Sequence, residues 1–536
     1  MMSSIMRNHF ATLSMIVVLA VLASAACKPP SKKATNEMTD GAYLEEMTIT
    51  RLRQGYKDGR WTIRRVVADY LARIEAIDKN GPKLNSIRIV NPDALRIAEE
   101  LDKEMAAGKL RGPLHGVPVI LKDNIDTHDQ MPTTAGATAL RSSYPKNDSW
   151  VAKKLRDAGA VILAKSNLSE WANFRSENSS SGWSGVGGQT KNPYVLDRNP
   201  CGSSSGSGAA VAANLCLLAV GTETNGSIVC PANNNGIVGI KPTVGLISRA
   251  GIIPISFTQD TPGPMARTVE DAAIALGTMI GVDPADLKTK ASAGNSKTDY
   301  SKFLNKDGLK GKRIGLLKND MGFSDRVDGL MRAAGAFLKS RGAEVVEVEM
   351  PKGLGYDAAS YQVLLYEFKD GLNKYFAGLG DNAPVKSLKD LIEFNKTDPV
   401  ELRYFDQKIL ETAQAKGDLN SPEYTKALAK MLKATRDEGI DKLMNGYKLD
   451  ALMAPTGSAA WKTDLILGDH FVGGSSSLAA ISGYPAIAVP LGFVDDLPVD
   501  VSFFGRAWSE PVLIEIAYAY EQGAMHRRPP KFLVSD

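Results

Sequence analysis

Five histidines and four cysteines are few for a chain of 536 residues. Cysteines this sparse make no disulfide scaffold, and their spacings fit no zinc pattern. The absence of G-x-x-x-x-G-K-[ST] excludes a phosphate-cradling P-loop. No apolar run reaches the ~20 residues that span a bilayer as a helix. Neither sign of charge dominates: 64 Lys and Arg against 60 Asp and Glu leave +4, so nothing implies a nucleic-acid partner. Internal repeats are lacking too. What remains, 43% hydrophobic and 23% charged, is typical of a soluble globular protein. Its length suits two to four ordinary domains or one large one.

Glycine, by contrast, is plentiful at 49 residues and gathers in places. Two Gly/Ser-rich clusters, GSSSGSG at 202–208 and GTETNGS at 221–227, bracket an apolar stretch of small residues. Residues 209–215 suit a short helix and 216–220 a buried strand. A strand feeding a glycine-rich turn that ends in serine aims several backbone N–H groups at one point, which suits an oxyanion. Such clusters are commonly flexible linkers, but linkers do not enclose a dense apolar run. Residues 202–206 also match G-x-S-x-G, with Ser204 central. The preceding Leu196-Asp197-Arg198-Asn199-Pro200 is a poor strand, which speaks against a nucleophile elbow.

Residues 199–243 resemble the signature of the amidase signature family of serine amidohydrolases, and the resemblance extends from about residue 45 to the end. GVPVILKDN at 116–124 resembles the family's lysine-bearing strand. AKSNLSE at 164–170 and DTPGPMART at 260–268 match two further family segments. Residues 171–176, 187–190 and 222–231 look most like bacterial peptide amidases.

Repeated strand–helix alternation predicts a mixed, largely parallel β-sheet covered by helices on both faces, and the resemblance implies that it forms a single large α/β domain. The resemblance also implies that Ser227 attacks an amide carbonyl and forms an acyl-enzyme. Ser203, in a cis peptide after Gly202, would relay the proton to Lys122. Backbone N–H groups of Thr224, Asn225, Gly226 and Ser227 would form the oxyanion hole. A lysine with a reference pKa of about 10.4 serves as a base only where burial favours its neutral form, and the apolar strand 117–121 supplies that setting. Read without the resemblance, a lysine at a strand end is a solvated charge. Asp123, Asn124 and Asp260 would orient the site by hydrogen bonds or serve only as turn and cap residues. The expected substrate is a small-molecule or peptide amide, first among them peptide C-terminal amides losing ammonia, then aryl or aliphatic amides. No metal or cofactor is implied.

Four positions depart from the family pattern. Asn225 replaces a glycine, although asparagine tolerates positive φ. Cys201 replaces the first glycine of GGSS, Val229 an arginine and Glu223 an aspartate. Two rival readings stand beside the amidase. One is an α/β-hydrolase-type esterase using Ser204 with His470 or His526; the other is a non-catalytic exported binding lipoprotein. The family's transamidosome subunit is disfavoured by an export signal, because its tRNA substrate is cytoplasmic.

That signal is read at the N-terminus. Arg7 precedes an apolar run over 11–23, short for a membrane span but right for export. It ends in Ala23-Ser24-Ala25-Ala26-Cys27, resembling a lipoprotein cleavage site with Ser24 in place of the usual leucine. The expectation is a signal peptide over 1–26, a lipidated Cys27 as membrane attachment, a polar linker over 27–44 and an amidase domain over 45–536, in the periplasm. Cleavage after Ala25 or Ala26 is the alternative. Oligomeric state is not legible. Of the other cysteines, Cys201 and Cys230 lie beside the site segments, so a bridge between them is one option. The expectation taken is that these two and Cys216 are small buried hydrophobes.

Along the chain, apolar spacing predicts helices over 61–78, 150–157, 268–280, 328–340 and 511–522, and one opening at Pro92 behind an Asn91 cap. Strands are predicted over 86–90, 117–121, 161–165, 313–317, 343–350, 451–454 and 486–491. Residues 355–445 are polar and helical and read as a peripheral layer or a cap over the cleft.

Overall fold

A computed structural model describes residues 41–380 and 383–534. The expected signal, Cys27 and nearly all of the linker lie outside the described residues. The last linker positions belong to the folded body: Ala42–Leu44 forms a 3-10 turn and Leu44 is buried.

Apolar segments bounded by glycine and polar caps become the strands. β1 (Ile87–Val90), β2 (Pro118–Lys122) and β3 (Val161–Ser166) come first. A short hairpin, β4 (Trp183–Ser184) with β5 (Gly188–Gln189), stands apart. Then follow β6 (Leu218–Glu223), β7 (Val238–Lys241), β8 (Thr261–Ala266), β9 (Arg313–Leu317) and β10 (Glu344–Val348). β11 (Ala451–Pro455), β12 (Ala486–Val494) and β13 (Leu497–Phe504) close the series. All but the hairpin form one sheet in the order β1-β3-β2-β6-β8-β7-β12-β13-β11-β9-β10. Every residue of β2, β3, β6 and β11 is buried. Successive side chains face opposite sides of a sheet, so both of its faces are covered there.

The sheet is mixed. β2 runs parallel to β3 and β6, and β9 parallel to β10 and β11, on the two flanks where helices cross between strands. The centre is antiparallel, from β6 through β8, β7, β12 and β13 to β11. The mixed sheet is as expected; its parallel pairs lie toward the flanks, and β1 closes one edge antiparallel to β3.

The helix predicted over 61–78 is Ile63–Arg73, capped by Thr62, and its last turn widens into a π segment at Ile74–Lys79. Asn91 caps a turn, its Oδ1 accepting from Asp93 N, and the helix itself is Ala94–Ala106. In the signature the helix is Ser205–Ala212 and β6 begins at Leu218, so 221–223 belong to the strand rather than the turn. The serines and glycines of 205–208 are thus a tightly packed helical turn. A Cβ at Gly206 would stand 2.2 Å from Ser86 O, and one at Gly208 2.9 Å from Pro231 O. The glycines let this helix press on neighbouring backbone.

Residues 355–445 hold the helices Tyr356–Leu379, Leu388–Thr397, Lys408–Gln414 and Pro422–Thr435. They build an apolar cluster of their own from Leu365, Phe368, Leu372 and Phe376, shared with Trp171, Ile253 and Ile255 of the body.

Candidate active site

β2 ends in Lys122, wholly buried, because Leu121 pairs with Val220 of β6 and brings the lysine beside Thr222. Its Nζ donates to Ser203 Oγ at 2.7 Å, Thr222 Oγ1 at 2.9 Å and Thr222 O at 3.1 Å. All three partners are uncharged. Burial therefore pulls the amine down to about 7, against the weaker opposing pull of Asp260 and Glu223.

Ser203 follows a cis Gly202–Ser203 peptide bond and is fully buried. Its carbonyl accepts from Ser169 N at 3.1 Å. Ser204 N then donates to Ser227 O at 3.2 Å, which sets the two Gly/Ser segments side by side. Ser227 keeps 7% of its surface exposed, and among the described residues its hydroxyl makes no hydrogen bond. The same holds for the backbone N–H groups of Thr224, Asn225, Gly226 and Ser227: none donates to a protein acceptor among the described residues. Four consecutive unspent donors beside a free hydroxyl form a cradle for negative charge. Positive φ falls on Gly226 at 83°, not on Asn225, so the asparagine replaces glycine at no conformational cost. Its side chain instead bonds Ser476 and Ser477.

Carboxylates hold this turn from behind. Glu223 Oε2 accepts from Ile228 N at 2.8 Å and Val229 N at 3.0 Å, capping the helix Val229–Asn235. Asp260 accepts from the Thr224 hydroxyl at 2.6 Å and from the N–H groups of Ile255 and Ser256; burial raises it to about 6. Asn124 donates to Thr222 Oγ1 at 3.0 Å and so buttresses the lysine's partner. Asp123 belongs to the scaffold: it pairs with Arg88 and Thr134, away from Lys122. Sequence reasoning passed over Thr222, Arg88 and Gln259, whose Nε2 holds Thr224 O at 3.2 Å. The segment after β3 is strained, with Trp171, Ala172 and Asn173 at φ of 50°, 53° and 71°. Ala172 lines a small cavity with Asn124, Thr222, Thr224 and Asp260.

Cys201 and Cys230 are joined in a disulfide, which corrects the expectation of three free buried cysteines; Cys216 alone of these is buried and unbridged. Their small cluster with Trp461 backs the Ser203 segment.

The esterase pattern is not assembled. Ser204 Oγ is engaged with the backbone of Thr222 in β6. His470 is exposed beside Asp464, and His526 lies against the Tyr520 ring. His115 faces Leu101 O and His128 faces Pro145 O.

Residues 65–514 match the family model described as Amidase. A probable amidase of Arabidopsis thaliana is 42% identical over 98% of this chain and 99% of its own length. The crystal structure of native peptide amidase from Stenotrophomonas maltophilia superposes with a TM-score of 0.87 at 49% identity, over 92% of this chain and 99% of that one. A structure of the peptide amidase PAM with its competitive inhibitor chymostatin gives 0.88 at 49% identity, over 91% and 99%.

Proposed function

The chain belongs to the amidase family, and from that premise we propose that it is an exported hydrolase that removes ammonia from peptide C-terminal amides through Lys122, Ser203 and Ser227. Its fold and its class, a hydrolase of amide C–N bonds, are those of the family.

In this reading Ser227 Oγ attacks the amide carbon while its proton passes to Ser203, whose own proton passes to Lys122. The neutral amine has two N–H bonds and one lone pair. Thr222 O and Oγ1 take the N–H bonds, leaving the lone pair to the Ser203 hydroxyl. The tetrahedral oxyanion rests on the N–H groups of 224–227, each donor worth on the order of a hundredfold in rate. The lysine then returns its proton through Ser203 to the departing amine. Water repeats the sequence on the acyl-enzyme and frees Ser227. The observation that carries this reading is a buried amine with only neutral partners, bonded to Ser203 and adjoining four unspent N–H donors.

Peptide amides are favoured by the 49% identity with peptide amidase along nearly the whole chain. The disulfide suits an oxidising compartment and so favours export. Ammonia release from the purified chain, scored across peptide C-terminal, aryl and aliphatic amides, tests the substrate. A strict preference for aryl amides, with peptide amides inert, overturns the peptide reading. Fractionation of cells making the wild type and Cys27→Ser tests the anchor: the wild type is expected in the membrane fraction and the variant not.

A further inference from the structure

The one disulfide among the described residues ties together the two segments that carry Ser203 and Ser227. Cys201 stands two positions before Ser203, and Cys230 three after Ser227. Cys201 has φ 58°, a left-handed backbone that favours glycine, and glycine is what the family pattern carries there. At this position the chain forgoes the residue best suited to the backbone for one that can be bridged.

Both ends of the bridge are coupled to the reacting groups. On one side, Cys201 N is held by Asn199 Oδ1 at 2.8 Å, and Trp461 packs in one buried cluster with the two cysteines. Gly202 and the cis bond to Ser203 follow directly. On the other side, Cys230 N donates to Gly226 O at 2.8 Å, in the turn that presents the four donors. A shift of Cys230 is therefore felt one residue before Ser227. No hydrogen bond joins the Ser203 and Ser227 side chains among the described residues. Their separation is set by the Ser204 N to Ser227 O contact, the Ser204 hydroxyl on the Thr222 backbone, the Asn234 and Asn235 amides on the carbonyls of Asn199 and Pro200, and the covalent bridge.

We infer that Cys201 and Cys230 are positioning residues whose bridge sets the distance over which Ser227 hands its proton to Ser203. This rests on the Ser–Ser–Lys reading above. The bridge touches neither substrate nor reacting atoms, so its loss slows the chemical step and leaves substrate binding nearly as it was.

The test compares four proteins in steady-state peptide-amide hydrolysis and in the rate of fluorophosphonate labelling: oxidised wild type, wild type reduced with a water-soluble phosphine, Cys230→Ser, and Cys201→Gly with Cys230→Ser. The phosphine becomes its oxide with an oxygen from water as the disulfide takes two electrons and two protons. Each protein is assayed below its own unfolding midpoint, because losing any disulfide lowers stability. The double variant removes the backbone strain at 201 together with the bond, so it separates strain from tethering. The expected result is a kcat lower by roughly ten- to a hundredfold in the last three, with KM within about twofold and labelling slowed in parallel. Reoxidation restores the reduced wild type. Reduced enzyme that turns over at the oxidised rate, or a double variant with full kcat, overturns the inference and leaves the bridge a stabiliser only. If reduction unfolds the chain, the double variant decides. Oxidised wild type that hydrolyses no amide would instead sink the Ser–Ser–Lys reading.

Discussion

Lys122 Nζ lies 2.7 Å from Ser203 Oγ, and the hydrogen-bond partners of this buried amine are neutral oxygens alone. An ordinary buried lysine is neutralised by a carboxylate; this one is left to lose its proton near physiological pH.

kcat/KM for an amide should rise with pH through about 7 and level off above, as the amine becomes neutral. Asp260, pushed up to about 6, adds a second acid limb where protonation weakens its hold on Thr224 and the N–H groups of 255 and 256. A profile flat from 5 to 9 would contradict the lysine's role.

Stability carries the opposite signature of the same amine. The unfolded chain binds the Lys122 proton below about 10.5, whereas the folded chain does so only below about 7. Wild-type stability therefore falls as pH is lowered between those values and is unaffected by this group below 7. Lys122→Met should be inactive yet folded. Its denaturation midpoint relative to wild type should climb as pH drops from 10 to 7 and then hold steady.

Ser227→Ala should abolish fluorophosphonate labelling and lower kcat by at least ~10³-fold, the scale of losing a nucleophile. Under the proposed mechanism Ser203→Ala keeps the nucleophile but breaks the relay, and should cost about 10²- to 10⁴-fold with labelling slowed rather than absent. His470→Ala and His526→Ala should leave turnover unchanged, whereas an esterase built on Ser204 requires one of them. Parallel assays of the four variants separate the readings.

Glu223→Ala strips the acceptor from Ile228 N and Val229 N and lets the donor turn relax. A fall in kcat on the order of ten- to a hundredfold is expected, less than the loss of a whole oxyanion site. Glu223→Gln keeps an acceptor oxygen and should recover most of it. Equal losses in both would mean that charge, not turn geometry, is what Glu223 supplies.

Arg175 pairs with Glu170 at 2.6 Å and with Glu401 of the helical layer at 3.0 Å, all three buried. Removing the cation strands two carboxylates, so Arg175→Ala should destabilise by about 3–5 kcal/mol in denaturant titration. Arg175→Ala with Glu401→Gln should be milder than the single change.

The chain's local order was readable from its residues alone. The strand Arg313–Leu317 and the helix Trp150–Asp157 fall where apolar spacing puts them. Ser203, Ser227 and Lys122 were picked out by motif, and two of them now share a hydrogen bond. Glycine tolerance, caps and amphipathic period act over a few residues, and a short window of sequence contains all of that information. What the window does not contain is strand register. The lysine meets Ser203 across 81 residues of chain because β2 pairs with β6 at Leu121 and Val220. Thr222 as the amine's partner, Asp123 turned toward Arg88, and the pairing of Cys201 with Cys230 follow from that packing. One residue of slip would send every side chain of a strand to its other face, so only the assembled sheet decides which groups meet.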